Sequence, residues 1–221
     1  MQLLFQDKTL GRAEKIQLIS AYILQLIITV TIFISLYRNN WFTAFLTSGI
    51  LLLTFLPAMI HRNTRVYLPI EFHFITIVFI FVSLFLGEIH SYYTYYWWWD
   101  IILHIASGIL LGVAGFVLVY TLNRESVHVK MNLAFVALFA FAFAVSIGSL
   151  WEIFEFAMDS FFGLNMQKSG LVDTMWDLIV DVLGALFISM LGHWYIKDRE
   201  SFLFERLVHR FVRKNPRLFQ R

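Results

Sequence analysis

Carboxylates and one imidazole recur at helical spacing in the second half of the chain. The members of each set are three or four residues apart, which places them on one face of a helix. They are Asp100 and His104, Glu152 and Glu155, and Asp177 and Asp181. Ionisable side chains cost about 2.5–3.5 kcal/mol each at the centre of a membrane span and usually mark function there. These positions are therefore the first candidates for chemistry.

Helical geometry predicts that these side chains meet at one depth. With a rise of about 1.5 Å per residue, His104, Glu152 and Asp181 are expected about 7–11 Å below the outer boundary of their helices. Carboxylates in a low-dielectric site repel one another, so they need a cation or bound protons. A divalent metal ion meets this need. Oxygen ligands favour Mg²⁺, Ca²⁺ or Mn²⁺, and a histidine also admits iron or zinc.

The expected ligands of this divalent metal ion come from three helices, and its identity is left open. They are Asp100, His104, Glu152, Asp177 and Asp181. Glu155 lies one turn from Glu152, where it can share a water molecule with the ion and act as a general base. Small residues beside the polar positions are expected to let the helices approach closely. They are Ser107, Gly108 and Gly112, then Ser146, Gly148 and Ser149, then Gly184 and Ala185.

A purely structural interpretation stays open for each of these groups. Asp100 can cap one helix, and Asp177 can complete a capping box in another. Glu152, His104 and Asp181 can instead form a buried hydrogen-bond network. The chain has no cysteine, which excludes thiolate ligands and a cysteine nucleophile.

Other ionisable groups near the predicted outer face are given no chemical role. Asp159 and Glu88 are expected to be solvated loop residues, and His90 is expected at the membrane interface. Substitution of Lys168 is expected to have little effect.

The elements that must carry the candidate site are long apolar helices. The chain is 59% hydrophobic and 14% charged, whereas soluble domains are about 45–50% apolar and about 25% charged. A spanning helix needs about 20 mainly apolar residues. The segments that qualify are Ile16–Tyr37, Trp41–Ile60, Pro69–Gly87, Trp99–Leu122, Leu133–Ala157 and Thr174–Ile196. We therefore predict an all-α polytopic transmembrane helix bundle of about six spans, in which Pro57 kinks the second.

Positive charges are distributed unevenly around these spans. With about six spans, 15 of the 17 Lys and Arg fall on the side of both termini, and only Arg38 and Lys168 fall on the other. Cytoplasmic loops carry the excess of Lys and Arg. We therefore expect a bacterial plasma-membrane protein with both termini in the cytoplasm.

The end of the chain differs in pattern from the spans. Eight of the Lys and Arg follow Ile196. Residues 197–221 are predicted to form a basic amphipathic helix on the cytoplasmic leaflet, after a six-span domain of residues 1–196. The expected partner is membrane lipid and not nucleic acid, and a homo-oligomer is left open.

Two stretches resemble a known family. Asp100-Ile-Ile-Leu-His104 resembles the Asp-x-x-x-His segment of the YjdF-like bacterial membrane proteins, a family of unknown function. The second stretch, Glu152-Ile-Phe-Glu155 followed by Asp173-Thr-Met-Trp-Asp177, resembles that family's Glu-x-x-Glu-Trp and Trp-Asp-Thr-x-x-Asp segments. Phe156 and Val172 stand where Trp is expected. The Asp-x-x-x-His pattern is also similar to VanZ-like proteins. The resemblance implies a membrane protein and supplies no reaction.

Three functions are compatible with the sequence. The preferred hypothesis is a metal-dependent enzyme that acts on a lipid or a lipid-linked envelope molecule at the outer leaflet, where a metal ion can activate water. The second is a cation or proton transporter that uses the same acids as a relay. Against it, the inner halves of the last two spans lack ionisable residues. The third is a non-catalytic membrane module in which the acids hold the bundle together.

Overall fold

The computed structural model describes residues 11–59, 70–125 and 131–198, together with positions 211, 213 and 215. Within these residues the chain is helical and has no β-strand, which confirms the predicted all-α class. In the same residues 5 helices are long and apolar enough to cross a membrane, and a further apolar helix is shorter. The predicted tail helix lies almost entirely outside the described residues. The chain divides into two compact units, of which the second comprises Trp97–Val212.

The first unit is built from short and long apolar helices. They are α1 (Arg12–Tyr37), α2 (Trp41–Leu53), α3 (Ile70–Ile80, which continues as a π-helix over Phe81–Ile89) and α4 (Tyr92–Tyr95). α2 begins at Trp41 because the side chain of Asn40 accepts a hydrogen bond from the Thr43 amide at 3.2 Å, which satisfies a free donor of the first turn. The buried core of this unit is formed by Ile28, Ile50, Ile80, Phe81 and Phe85.

The second predicted span is interrupted one turn before Pro57. α2 ends at Leu53, residues 54 and 55 form a turn, and residues 56–59 are helical again. Proline has no amide hydrogen to donate to the preceding turn, so the helix breaks there. The Thr54 hydroxyl stabilises the break, since it donates to the Leu51 carbonyl at 2.6 Å and accepts from Gln25 Nε2 at 3.0 Å. The predicted kink is therefore confirmed.

The second unit contains three long helices that all pack against one another. They are α5 (Trp99–Glu125), α6 (Leu133–Phe162) and α7 (Leu171–Asp198). α6 begins at Leu133 because the Asn132 side chain accepts from the Phe135 amide at 2.7 Å. It ends at Gly163, whose left-handed φ of 65° a glycine adopts without strain. α6 is longer than the predicted span, and α7 starts earlier than predicted.

α5 and α7 come closest where two glycines meet the backbone of the opposite helix. A Cβ atom at Gly108 would lie 2.5 Å from the Asp181 carbonyl oxygen, and one at Gly184 would lie 2.6 Å from the Ile105 carbonyl oxygen. Any larger residue would force the helices apart. The predicted role of these glycines in close packing is confirmed, and their packing brings Asp181 within reach of α5.

The other end of the three-helix unit is apolar. Its helices enclose a buried cluster formed by Phe116, Val119, Val136, Ala140 and Ile188. Phe116, Val136 and Ala140 are each 0% exposed. The candidate site residues are therefore confined to the end of the unit that carries the start of α5, the end of α6 and the start of α7.

Candidate metal centre

His104 on α5 lies between carboxylates contributed by all three helices of the second unit. Its Nε2 atom is 3.7 Å from Asp100 Oδ1, 3.9 Å from Glu152 Oε1 and 3.9 Å from Asp177 Oδ2. On the other side of the ring, Nδ1 is 3.3 Å from Asp181 Oδ2. The polar faces of α5, α6 and α7 therefore converge, as their spacing predicts.

The two ring nitrogens of His104 have different surroundings. The 3.3 Å contact of Nδ1 with Asp181 is a hydrogen bond, whereas the 3.7 and 3.9 Å contacts of Nε2 are too long to be hydrogen bonds. The Ser107 hydroxyl donates to Asp181 Oδ1 at 2.8 Å and fixes this carboxylate. Asp181 thus orients the imidazole from behind. A carboxylate on the far nitrogen is the usual support of a metal-binding histidine.

The groups around Nε2 have the spacing that a metal ion requires. One ligand atom from each of Asp100, His104 and Asp177 lies within 4.8 Å of the others. Metal–ligand bonds of about 2.0–2.2 Å place neighbouring ligand atoms roughly 3–4 Å apart. The spacing of these three ligand atoms is therefore compatible with a divalent cation.

Glu152 on α6 is a buried carboxylate whose Oε1 atom lies 3.9 Å from His104 Nε2, beyond hydrogen-bond distance. Its side chain is 5% exposed, and neither oxygen has a hydrogen-bond partner within reach among the described residues. The Thr174 hydroxyl, which accepts from Gln167 Nε2 at 2.7 Å, also interacts with Glu152, but without the geometry of a hydrogen bond. A buried polar group left unsatisfied costs roughly 1–3 kcal/mol, and more if it is charged. A bound cation would remove this cost.

Glu155 is held by the indole of its own helix. Its Oε1 atom accepts a hydrogen bond from Trp151 Nε1 at 3.0 Å. Glu155 is 9% exposed and Trp151 is 38% exposed. This pair therefore links the buried cluster to the exposed face of α6, which is the face that lipid chains would contact.

The connection between α6 and α7 places the ammonium group of Lys168 next to the carboxylate cluster. The Lys168 ammonium forms an ion pair with Asp100 Oδ2, and the Lys168 side chain is 32% exposed. Lys168 also adopts a positive φ of 25°, which is uncommon for a residue other than glycine. Spacing along the chain does not indicate this contact, and the expectation that substitution of Lys168 has little effect stays a prediction.

Asp159 shapes the same connection and is not a solvated loop residue, contrary to the sequence-based expectation. It belongs to the last turn of α6, and its two carboxylate oxygens accept hydrogen bonds from the Met166 amide at 2.7 Å and the Gln167 amide at 2.9 Å. The carboxylate thereby satisfies backbone amide groups that lie beyond the end of the helix.

The predicted site residues all lie in the second unit, but they do not have equivalent positions. Asp100, Glu152 and Asp177 face Nε2 of His104, and Asp181 faces Nδ1. Glu155 lies at the margin beside Trp151. The assignment of Asp181 as a direct ligand is therefore less favoured by the geometry than the other four.

Sequence reasoning missed three contacts of the site. Ser107 follows His104 by three residues, and Trp151 precedes Glu155 by four, so helical spacing could have indicated both partners. The contact of Lys168 depends on the path of the α6–α7 connection, which spacing along a helix does not give.

Comparison with known proteins places the chain in a family without an assigned activity. A family model described as "Predicted membrane protein (DUF2238)" matches residues 19–198. An uncharacterized protein of Thermotoga maritima is 28% identical over 131 residues, which are 59% of this chain and 66% of that protein. The match thus spans slightly less than two thirds of this relative. No solved structure matches the chain. These findings agree with the resemblance to YjdF-like membrane proteins of unknown function.

Proposed function

We propose that this chain, which belongs to the DUF2238 family of membrane proteins, binds a divalent metal ion and acts on a lipid or lipid-linked envelope molecule. The family description names no reaction, so the proposal is argued from the site. Membership of the family makes it a membrane protein. The metal ion, the reaction and the substrate are our inference from the second unit.

Glu152 is the single observation that carries the proposal. A cluster of acids alone can be explained by helix caps and hydrogen bonds. Glu152 has neither, since both of its oxygens are buried without a hydrogen-bond partner among the described residues and Oε1 lies 3.9 Å from His104 Nε2. A divalent cation placed between Glu152 and His104 would compensate the buried charge.

We assign the proposed ligands to the Nε2 side of the imidazole. Asp100, His104 and Asp177 offer atoms at a suitable spacing, and Glu152 completes an oxygen-rich set. Asp181 is assigned to orient His104, since it contacts the opposite ring nitrogen. The oxygen-rich set favours Mg²⁺, Ca²⁺ or Mn²⁺, and the single imidazole also admits zinc or iron.

The chemistry proposed for this site is the activation of water. A divalent ion bound here would polarise a water molecule or a substrate oxygen. Glu155, one turn from Glu152, is the proposed general base, and the Trp151 indole keeps its carboxylate at the edge of the cluster. The site lies within the predicted spanning segments of α5, α6 and α7, so a substrate that arrives from the lipid phase is the simplest fit.

Transport of a cation or proton is the alternative. The apolar cluster of Phe116, Val136 and Ile188 fills the other end of the same three helices. Polar or ionisable residues usually line a transport path, and these side chains supply none. This packing favours an activity at one side of the membrane over a transmembrane relay.

Metal analysis of the purified full-length protein tests the first part of the proposal. We expect about one divalent ion per chain by elemental analysis, and loss of that ion in Glu152→Ala and His104→Ala. Asn165→Ala, in the α6–α7 connection, serves as a matched control that should keep the ion. A protein that contains no metal and has the same stability with and without a chelator would contradict the proposal.

A lipid comparison tests the second part. Lipids are profiled in cells that lack the protein, express it, or express Glu152→Ala. We expect a change that depends on the intact site. If the three profiles are the same and proteoliposomes instead show a cation or proton flux that Glu152→Ala abolishes, the transporter alternative replaces this proposal.

A further inference from the structure

The Lys168 ammonium forms an ion pair with one carboxylate of the proposed metal centre. Asp100 Oδ1 is 3.7 Å from His104 Nε2, and Asp100 Oδ2 forms the ion pair with Lys168. The lysine and a metal ion at His104 would therefore use the same carboxylate. Two cations that share one carboxylate repel each other.

The position of Lys168 is set by a turn that is hydrogen-bonded to both neighbouring helices. The α6–α7 connection, residues 163–170, is fixed to α6 by the two hydrogen bonds that Asp159 accepts. It is fixed to α7 by the hydrogen bond from Gln167 Nε2 to the Thr174 hydroxyl at 2.7 Å. Gly163 and Gly170, with φ of 65° and 67°, form its two ends. Lys168 follows Gln167 directly, so these bonds set where its ammonium can reach.

We propose that Lys168 is a built-in competitor of the metal ion, a role that rests on the proposed function. The ammonium neutralises Asp100 while the centre is empty, and an arriving divalent ion takes over Asp100 and displaces the ammonium. The lysine side chain is long and partly exposed, so it can turn outward while the backbone of the connection keeps its bonds to Asp159. Lys168 thereby lowers the affinity of the centre for the divalent ion. Binding of the ion in turn moves the Lys168 side chain at the edge of the centre.

Metal affinity is the first test. Mn²⁺ binding is measured by electron paramagnetic resonance or calorimetry on the full chain in lipid nanodiscs. Lys168→Met keeps the aliphatic length and removes the charge, and we expect it to bind Mn²⁺ about two- to fivefold more tightly than the wild type. Lys168→Arg should stay near the wild type. Arg38→Met, which removes a cation from the other compact unit, is the control for a general loss of positive charge and should change affinity little.

Movement of the Lys168 side chain is the subject of the second test. The chain has no cysteine, so Ser169→Cys provides a single thiol next to Lys168, at an exposed position. We expect Mn²⁺ to change its rate of reaction with a water-soluble maleimide at least about threefold. The rate should not respond to Mn²⁺ when Lys168→Met is added to the same chain.

The outcomes separate this inference from the function on which it rests. If neither the wild type nor Lys168→Met binds Mn²⁺, the proposed metal centre is wrong and the competition is wrong with it. If both bind with equal affinity, or Lys168→Met binds more weakly, the centre stands and the competition is excluded. Tighter binding without any change in thiol reactivity would show a fixed electrostatic effect and would overturn the displacement.

Discussion

The position of each carboxylate around His104 decides the role that it can have. Groups that face Nε2 can share an ion with the imidazole. Asp181 faces Nδ1, where it accepts a hydrogen bond from the ring and orients it. The Ser107 hydroxyl strengthens this arrangement because it holds the other oxygen of Asp181 at 2.8 Å.

This difference gives a prediction for Asp181 and Asp177. Asp181→Asn should lower the affinity for a divalent ion about 10–100-fold, as substitutions behind a metal-binding histidine usually do. Asp177→Asn should lower it further because it removes a ligand atom. Ser107→Ala should have a smaller effect than either substitution. Mn²⁺ titration of the purified variants measures all three, and an equal loss for Asp181→Asn and Asp177→Asn would identify Asp181 as a ligand after all.

A second prediction separates Glu152 from its neighbour one turn away. Glu152→Gln should weaken Mn²⁺ binding at least about tenfold, because a neutral amide is a poor substitute for a carboxylate ligand. Glu155→Gln keeps the shape of the side chain and should leave the affinity near that of the wild type. Calorimetric titration gives both values. A large loss in Glu155→Gln would place this residue among the ligands and remove it as the base.

Much of the candidate site could be predicted from residue types and spacing. Repeats of three and four residues place Asp100 with His104 and Asp177 with Asp181 on their helix faces, and the structure brings these faces together. The same patterns could not show which ring nitrogen a carboxylate contacts, because this depends on the rotation of each helix about its axis. For that reason the spacing alone puts Asp181 among the expected ligands.

The helices themselves follow the sequence closely where a local signal exists. Asn132 caps α6 and Pro57 interrupts the second span, and both effects come from the backbone chemistry of one residue. The predicted end of α6 is too early because residues 158–162 continue the helix beyond its most apolar part. Hydropathy reports where a helix is apolar, whereas the left-handed Gly163 decides where it ends.

Helix packing gives a prediction at Gly184. A valine there would place its Cβ about as close to the Ile105 carbonyl oxygen as the 2.6 Å found for a Cβ built at this glycine, and would push α7 from α5. We expect a loss of about 1–3 kcal/mol in stability, as for other overpacked positions, together with weaker Mn²⁺ binding. Thermal unfolding in detergent measures the first effect. Gly49→Ala is the control, since a Cβ at Gly49 meets nothing within 4 Å; if both variants unfold at the same temperature, the close approach has no energetic importance.

At the scale of the whole molecule, orientation is the prediction that most affects function. The excess of Lys and Arg on one side predicts cytoplasmic termini, which would place the metal centre near the outer leaflet. Single cysteines at Ser169 and at Ser126 test this in intact cells, because the natural chain has none. We expect an impermeant maleimide to label Ser169→Cys and not Ser126→Cys. The reverse pattern would move the centre, and any substrate, to the cytoplasmic side.

The position of one imidazole among several carboxylates also has an evolutionary consequence. Because Asp100, Glu152, Asp177 and Asp181 all lie within 4 Å of the same ring, the effect of losing one of them depends on whether His104 is present. Substitutions of these residues are therefore expected to be strongly epistatic. Once the histidine is lost, selection to retain the four carboxylates should be weak. Among related chains, these residues should be inherited together or abandoned together, while Ser107 and Trp151 drift more freely.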